Sequence, residues 1–224
     1  MVDFAFSQAV VDVFPDMIRR SVPGYETVLP IGGMIAAQAL PPGGRLYDLG
    51  CSQGASTAAV LARLDDRDCN IIGIDNSEPM LTSARALIVD PRVTFVEADL
   101  TDFRFESANV VLANYVLQFL EPAARLALLK RLRTALAPGG LMLLTEKIHL
   151  DDPALDATFD ALHLDFKRAN GYSELEVAGK RSALERVMRI DREADHRARL
   201  REAGFSHVEL WFRCLNWASF IIRP

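Results

Sequence analysis

Positive charge, cysteine and long apolar runs are all scarce in this chain. Its 224 residues hold 25 Lys and Arg against 30 Asp and Glu, a formal net charge of −5. A protein that grips an extended nucleic acid presents a dominant basic surface. Direct binding of RNA or DNA is therefore not expected, and a small ligand is. The three cysteines, Cys51, Cys69 and Cys214, form no CxxC pair and have no flanking histidines, which argues against structural zinc and against a disulfide framework. Such cysteine usage fits a reducing, cytoplasmic setting. The histidines at 149, 163, 196 and 207 share no ligand spacing, so no metal is expected. No basic-plus-apolar leader and no apolar run near the roughly 18 residues of a membrane span is present. No repeats or low-complexity segments appear either.

What is present is an ordinary globular mixture, 50% hydrophobic and 25% charged, enough for one well-buried core. Residues 1–42 read as helix, broken at Pro15 and at Pro23-Gly24. After Pro41-Pro42-Gly43-Gly44 the pattern alternates. Short β-rich runs at 45–49, 70–75, 93–99, 108–116 and from Leu141 are separated by helical stretches at about 55–64, 77–88 and 121–137. Ser77 is placed as an N-cap, and Leu126, Leu129, Leu132 and Leu136 recur at helical spacing. Strands alternating with helices imply βαβ crossovers and a parallel sheet. Helices at 153–170 and 173–188 then form an insertion, a further helix (192–203) stops at Gly204, and "HVELWFRCL" and "WASFIIR" close the chain as a hairpin. The expectation is a single α/β domain over 1–224: a Rossmann-like, seven-stranded mixed sheet with an N-terminal helical lid (1–42) and a helical insertion (151–190).

The loop "YDLGCSQG" follows the first strand and opens a helix. Its glycines at 50 and 54 let the backbone approach a ligand, and the helix N-terminus adds a positive dipole. Asp75, ending the second strand, is placed to accept both hydroxyls of a ribose. Ser52 stands where a dinucleotide fingerprint has its middle glycine, so dinucleotide binding is the weaker reading. Ordinary tight turns and strand-end caps would also account for these residues taken singly.

The ordered set "DLGCSQG", "IDNS", "EADL" and "NYVLQF" resembles the class I S-adenosylmethionine-dependent methyltransferases. The longer strings "VFPDMIRRSVPGY", "LQFLEP", "DFKRANGYSELE" and "KRS" narrow the likeness to the carboxy-S-adenosyl-L-methionine synthase family. That resemblance implies cofactor contacts at Tyr25, Gly50, Cys51, Ser52, Asp75, Asn76, Asp99, Leu100, Asn114 and Arg181. It implies that S-adenosylmethionine and prephenate become carboxy-S-adenosylmethionine and phenylpyruvate. Loss of CO2 and hydroxide makes the prephenate ring aromatic, the hydroxide takes a methyl proton from the sulfonium, and the carbon left behind captures CO2. Arg181 would then be the catalytic cation, forking two bonds to the new carboxylate. The family also implies a homodimer whose product passes to a tRNA carboxymethyltransferase acting on wobble uridine. The alternative is a true methyltransferase acting on a small acidic metabolite, with Arg181 on the substrate.

A cluster of cations at Lys167, Arg168, Lys180 and Arg181 stands out in an acidic chain. Only Arg181 falls on the family's motif. For the other three, a carboxylate contact and a solvated helix face both remain open. Arg19 and Arg20 would close over the site or lie on the surface, and Trp211 and Trp217 are expected in packing.

Overall fold

The computed structural model describes residues 11–174 and 187–224. Elements are numbered along these residues. Helices α1 (Phe14–Ser21) and α2 (Tyr25–Ala39) precede strand β1 (Gly44–Leu49), α3 (Ala55–Leu61), β2 (Cys69–Asp75), α4 (Glu78–Leu87), β3 (Val93–Glu97) and β4 (Ala108–Asn114). A 3-10 turn (Leu117–Phe119), α5 (Pro122–Ala135), β5 (Leu136–His149) and α6 (Pro153–Ala169) follow. The chain closes with the two-residue β6 (Asp191–Arg192), α7 (Glu193–Glu202), β7 (His207–Cys214) and β8 (Trp217–Arg223). The sheet runs β3-β2-β1-β4-β5-β8-β7, with β6 beside the end of β5. Strands β1 to β5 pair in parallel, while β8 is antiparallel to both β5 and β7. This is the expected mixed α/β sheet.

Alternation along the central strands builds two cores, one on each face. Tyr47, Val111, Ala113, Met142 and Leu144 point to the side covered by Leu128, Leu129 and Leu132 of α5 and Leu200 of α7. Their neighbours Leu46, Val110, Leu112, Leu141 and Leu143 point to the side covered by Ala36 and Ala37 of α2 and Val60 of α3. A period of two on strands buried on both faces explains their near-continuous apolar sequence. Helices α2 and α3 touch closely: a Cβ on Gly33 would stand 2.5 Å from the Ala59 carbonyl oxygen, so only glycine fits there.

Several boundaries differ from expectation. The break expected at Pro15 falls at the turn of residues 12 and 13, so that Pro15 sits in the first turn of α1, where its missing N–H is no loss. Pro30 lies inside α2. Strand β4 stops at Asn114, because Tyr115 adopts φ 62 and turns the chain away. Strand β5 begins at Leu136, ahead of Pro138-Gly139-Gly140, which occupy a bulge: Ala108 pairs with Leu136, whereas Val110 pairs with Leu141. The second insertion helix expected at 173–188 lies largely outside the described residues.

Candidate active site

At the carboxyl ends of β1 to β5 the following loops diverge around a cavity of about 1620 Å3, the crevice where α/β sheets bind ligands. The loop after β1 is held in an unusual conformation. Gly50 (φ 59), Ser52 (φ 51) and Gly54 (φ 81) all take left-handed backbone angles. For Ser52, which stands where a dinucleotide fingerprint has glycine, this conformation costs about 1–2 kcal/mol. A Cβ on Gly50 would lie 2.9 Å from Val116, so the bare backbone passes directly beside the turn after β4. Gly54 opens α3 without a side-chain cap. Asp48, buried in the strand beneath, supplies one instead: its Oδ2 accepts Thr57 N at 3.1 Å and Thr57 Oγ1 at 2.7 Å. Burial pushes the Asp48 carboxyl up to about 7.

Asp75 ties two loops together. Its Oδ2 accepts Ser52 N at 2.9 Å and its Oδ1 accepts Ser77 N at 3.0 Å. Burial raises its pKa, opposed by these backbone donors. Asp99 is exposed, and its Oδ1 accepts Thr101 N and Thr101 Oγ1, both at 2.7 Å. The Thr101 bonds lower its pKa and favour the carboxylate. Asn114 donates Nδ2 to Ser56 Oγ at 3.0 Å. Tyr25, 8% exposed, packs with its ring centroid 6.2 Å from that of Tyr115. Burial pushes its hydroxyl up to about 12, so it stays a donor at neutral pH. The Cys51 thiol is buried, and burial raises its pKa strongly, which makes it inert.

Every expected contact residue except Arg181 lines this one cavity: Tyr25, Gly50, Cys51, Ser52, Asp75, Asn76, Asp99, Leu100 and Asn114. Arg181 and Lys180 lie outside the described residues. The remaining two cations of that cluster separate. Arg168 is exposed and bound to Asp165 and Glu174, a solvated helix face. Lys167, 6% exposed, lines the cavity. Arg19 also lines it, whereas Arg20 turns to the Asn170 carbonyl at 2.6 Å and lies over the Tyr172 ring.

The motifs assign no role to other residues in or behind the cavity wall, although Glu146, which does not line the cavity, and Lys147, which does, form the string "EK". Glu146, fully buried, accepts backbone N–H bonds from Val116 (2.9 Å) and Leu117 (2.7 Å) at Oε1 and from Gln118 (3.1 Å) at Oε2. It therefore fixes the turn that faces Gly50. Burial pushes its carboxyl up to about 7. Lys147, His163 and Trp217 line the far end. The only sequence signals for the latter group are the i, i+3, i+4, i+7 spacing of Asp160, His163, Leu164 and Lys167 on one helix and the "EK" pair at the end of β5.

The fold and this loop set define a class I S-adenosylmethionine-dependent methyltransferase domain. A family model described as a methyltransferase domain matches residues 46–140. Among solved structures, an O-methyltransferase family protein from Burkholderia thailandensis superposes with a TM-score of 0.68 at 21% identity, covering 96% of this chain and 59% of that one. The DhpI–SAH complex gives 0.65 at 15% identity, covering 97% and 92%. Curated relatives are far closer in sequence. Carboxy-S-adenosyl-L-methionine synthase of Aeromonas hydrophila subsp. hydrophila is 50% identical over 223 residues, 98% of this chain and 90% of that protein. The namesake from Geobacter sp. (strain M21) is 49% identical over 226 residues, 99% and 93%. The chain belongs to the carboxy-S-adenosyl-L-methionine synthase family and is an S-adenosylmethionine-dependent enzyme.

Proposed function

We propose that the protein converts S-adenosylmethionine and prephenate to carboxy-S-adenosylmethionine and phenylpyruvate, for use by a tRNA carboxymethyltransferase at wobble uridine. The observation that carries this reading is the near-full-length likeness, at about half identity, to relatives bearing that name. In this reading the backbone of Gly50, Cys51 and Ser52 receives the amino-acid part of the cofactor. Asp75, already oriented by two backbone donors, keeps lone pairs for the ribose hydroxyls. Asn76 flanks Asp75, Asp99 and Leu100 take the adenine, and Asn114 and Tyr25 border the reacting end. Arg181 forks the new carboxylate. Keeping water from the reacting methyl carbon is the task of the walls around this cavity, Phe14, Ile18 and Val22 of the N-terminal helices among them.

Three further elements belong to the same reading. The N-terminal segment 1–42 is a lid, whose helix α1 is tied to α6 through the contact of His163 Nε2 with the Ser21 carbonyl at 2.8 Å and to the turn after α6 by Tyr172, which reaches the Met17 carbonyl at 3.3 Å. The protein works as a homodimer in the cytoplasm, with α6 at or near the interface. It does not contact tRNA itself; its net charge of −5 offers phosphate no dominant basic face.

The test is turnover with purified protein, S-adenosylmethionine and prephenate, followed by mass spectrometry. Repeated formation of adenosylmethionine carrying one added carboxyl group is the expected result. Transfer of an unmodified methyl group to an acidic metabolite would replace this reading with that of a methyltransferase.

A further inference from the structure

Arg125 of α5 is fully buried, yet it does not line the cavity. Its guanidinium instead joins three stretches of chain from behind the wall. Nε and Nη2 donate to the Leu120 carbonyl at 3.1 and 3.0 Å, in the turn after β4. Nη2 also donates to the Arg189 carbonyl at 2.7 Å, and Nη1 pairs with Asp191 of β6. The same Asp191 oxygen accepts Nη1 of Arg199, on α7, at 2.8 Å. Burial alone would raise the Asp191 pKa; the Arg199 bond and the Arg125 charge bring it below the usual carboxylate range. The two stretches also meet directly. Arg189 N donates to the Gln118 carbonyl at 2.8 Å, and its guanidinium pairs with Glu121. Gln118, Leu120 and Glu121 are cavity wall, and so are Val187 and Met188, just before Arg189 in the chain.

A buried ion pair is poor ground for stability, because desolvation offsets much of its attraction. What Arg125 adds is geometry, a planar fork of fixed donors that reaches separate chain segments at once. We propose that Arg125 is a positioning residue: held by Asp191, it anchors residues 187–191 to the turn after β4 and so fixes two walls of the cavity. Turnover depends on that spacing, since a misplacement of about 1 Å can cost about 10²-fold in rate. Cofactor affinity does not, because the expected cofactor loops have their own ties at Asp48, Asp75 and Asp99. The anchor stands on geometry alone; its effect on turnover rests on the reaction proposed above.

The experiment compares the full wild-type chain with Arg125→Met, Arg125→Lys and Asp191→Asn. Arg133→Met is the control, changing the same helix where Arg133 meets the Gly204 carbonyl. Amide hydrogen exchange, read by mass spectrometry, follows residues 117–121 and 187–192 against 48–57 and 75–80. Calorimetry gives S-adenosylmethionine affinity, and turnover gives the prephenate kinetics. Loss of a charged hydrogen bond is worth roughly tenfold or more, so Arg125→Met should exchange faster by about that factor in 117–121 and 187–192 alone. Its kcat/KM for prephenate should fall about ten- to hundredfold, with cofactor affinity within about twofold of wild type. Arg125→Lys should recover part of both losses, and Arg133→Met should match wild type. Asp191→Asn should show the same pattern more mildly, and it carries the test if Arg125→Met fails to fold. Faster exchange spread over the whole chain, or wild-type exchange at 187–192, overturns the anchor. Equal loss of cofactor affinity and turnover, or undiminished kcat/KM, overturns the positioning role. Wild type that forms no carboxylated product refutes the proposed reaction, and the exchange pattern then decides the anchor by itself.

Discussion

Ser52 donates its backbone N–H to Asp75 Oδ2 at 2.9 Å, joining the loop after β1 to the loop after β2. Ser77 N occupies the other oxygen at 3.0 Å, so both carboxylate oxygens are held in place before any ligand arrives. Asp75→Asn would turn an amide N–H2 toward one of these donors and remove an acceptor from the ribose side. The expected result is loss of S-adenosylmethionine affinity by at least about tenfold, given about 1.5–3 kcal/mol for a charged hydrogen bond. Isothermal calorimetry reads it directly; an affinity within twofold of wild type would contradict the role of Asp75.

Glu146 makes a stability prediction of the same kind. Removing its carboxylate strands three buried backbone N–H groups, each costing about 1–3 kcal/mol. Glu146→Ala should therefore lose at least about 3 kcal/mol in urea unfolding. A loss below about 1 kcal/mol would mean that water or another group satisfies those donors.

The same residue predicts a pH dependence. Burial raises Glu146 from 4.5 to about 7 and Asp48 from 3.8 to about 7. Between those values the folded chain keeps protons that the unfolded chain has released. Their contribution to stability is thus full below the unfolded values and falls as pH rises toward about 7. Glu146→Gln removes one such contribution. Its melting temperature relative to wild type should climb between pH 5 and pH 8; a constant gap across that range would contradict the raised value.

Much of this was legible in the chain itself. Apolar runs between glycine and proline breaks located all five parallel strands and the closing hairpin, and Gly204 at φ 95 ends α7 as a stop signal should. The loop residues 50–52, Asp75 and Asp99 were placed by motif, and the structure gathers them at one cavity. The end of β4 was not legible, because Tyr115 at φ 62 is a tertiary choice imposed by the Glu146 clamp. Nor was the early start of β5, since a bulge absorbs Pro138-Gly139-Gly140 inside the strand. Lys167 and Arg168 are adjacent and chemically alike. Only the 100° step along α6 sends one to the cavity and the other to Asp165 and Glu174.

Arg181 yields a prediction that separates two ligands. In the proposed reaction it pairs with the carboxylate of the product, so Arg181→Leu leaves that anion without its partner, a change of about 2–5 kcal/mol. Carboxylated cofactor should bind roughly thirty to several thousand times more weakly, and plain S-adenosylmethionine almost as before. Arg181→Lys should fall between them, keeping charge but losing the fork. Equal weakening of both ligands would assign Arg181 to the common scaffold.

Assembly is tested separately. Helix α6 exposes Leu155 and Leu162, 51% and 43% accessible, beside half-buried Phe159 and Phe166. Light scattering at micromolar concentration should report a dimer, and Leu162→Glu should shift it toward monomer. A wild-type monomer would contradict the proposed interface.

The central claim is that the carboxyl group gained by the cofactor comes from the second substrate. Prephenate labelled with 13C in its ring carboxylate tests this most directly, with the product mass read after turnover in unlabelled bicarbonate. The account predicts that the label appears in carboxy-S-adenosylmethionine and that phenylpyruvate is unlabelled. Carboxylated product without label, or product bearing only an unmodified methyl transfer, would contradict it.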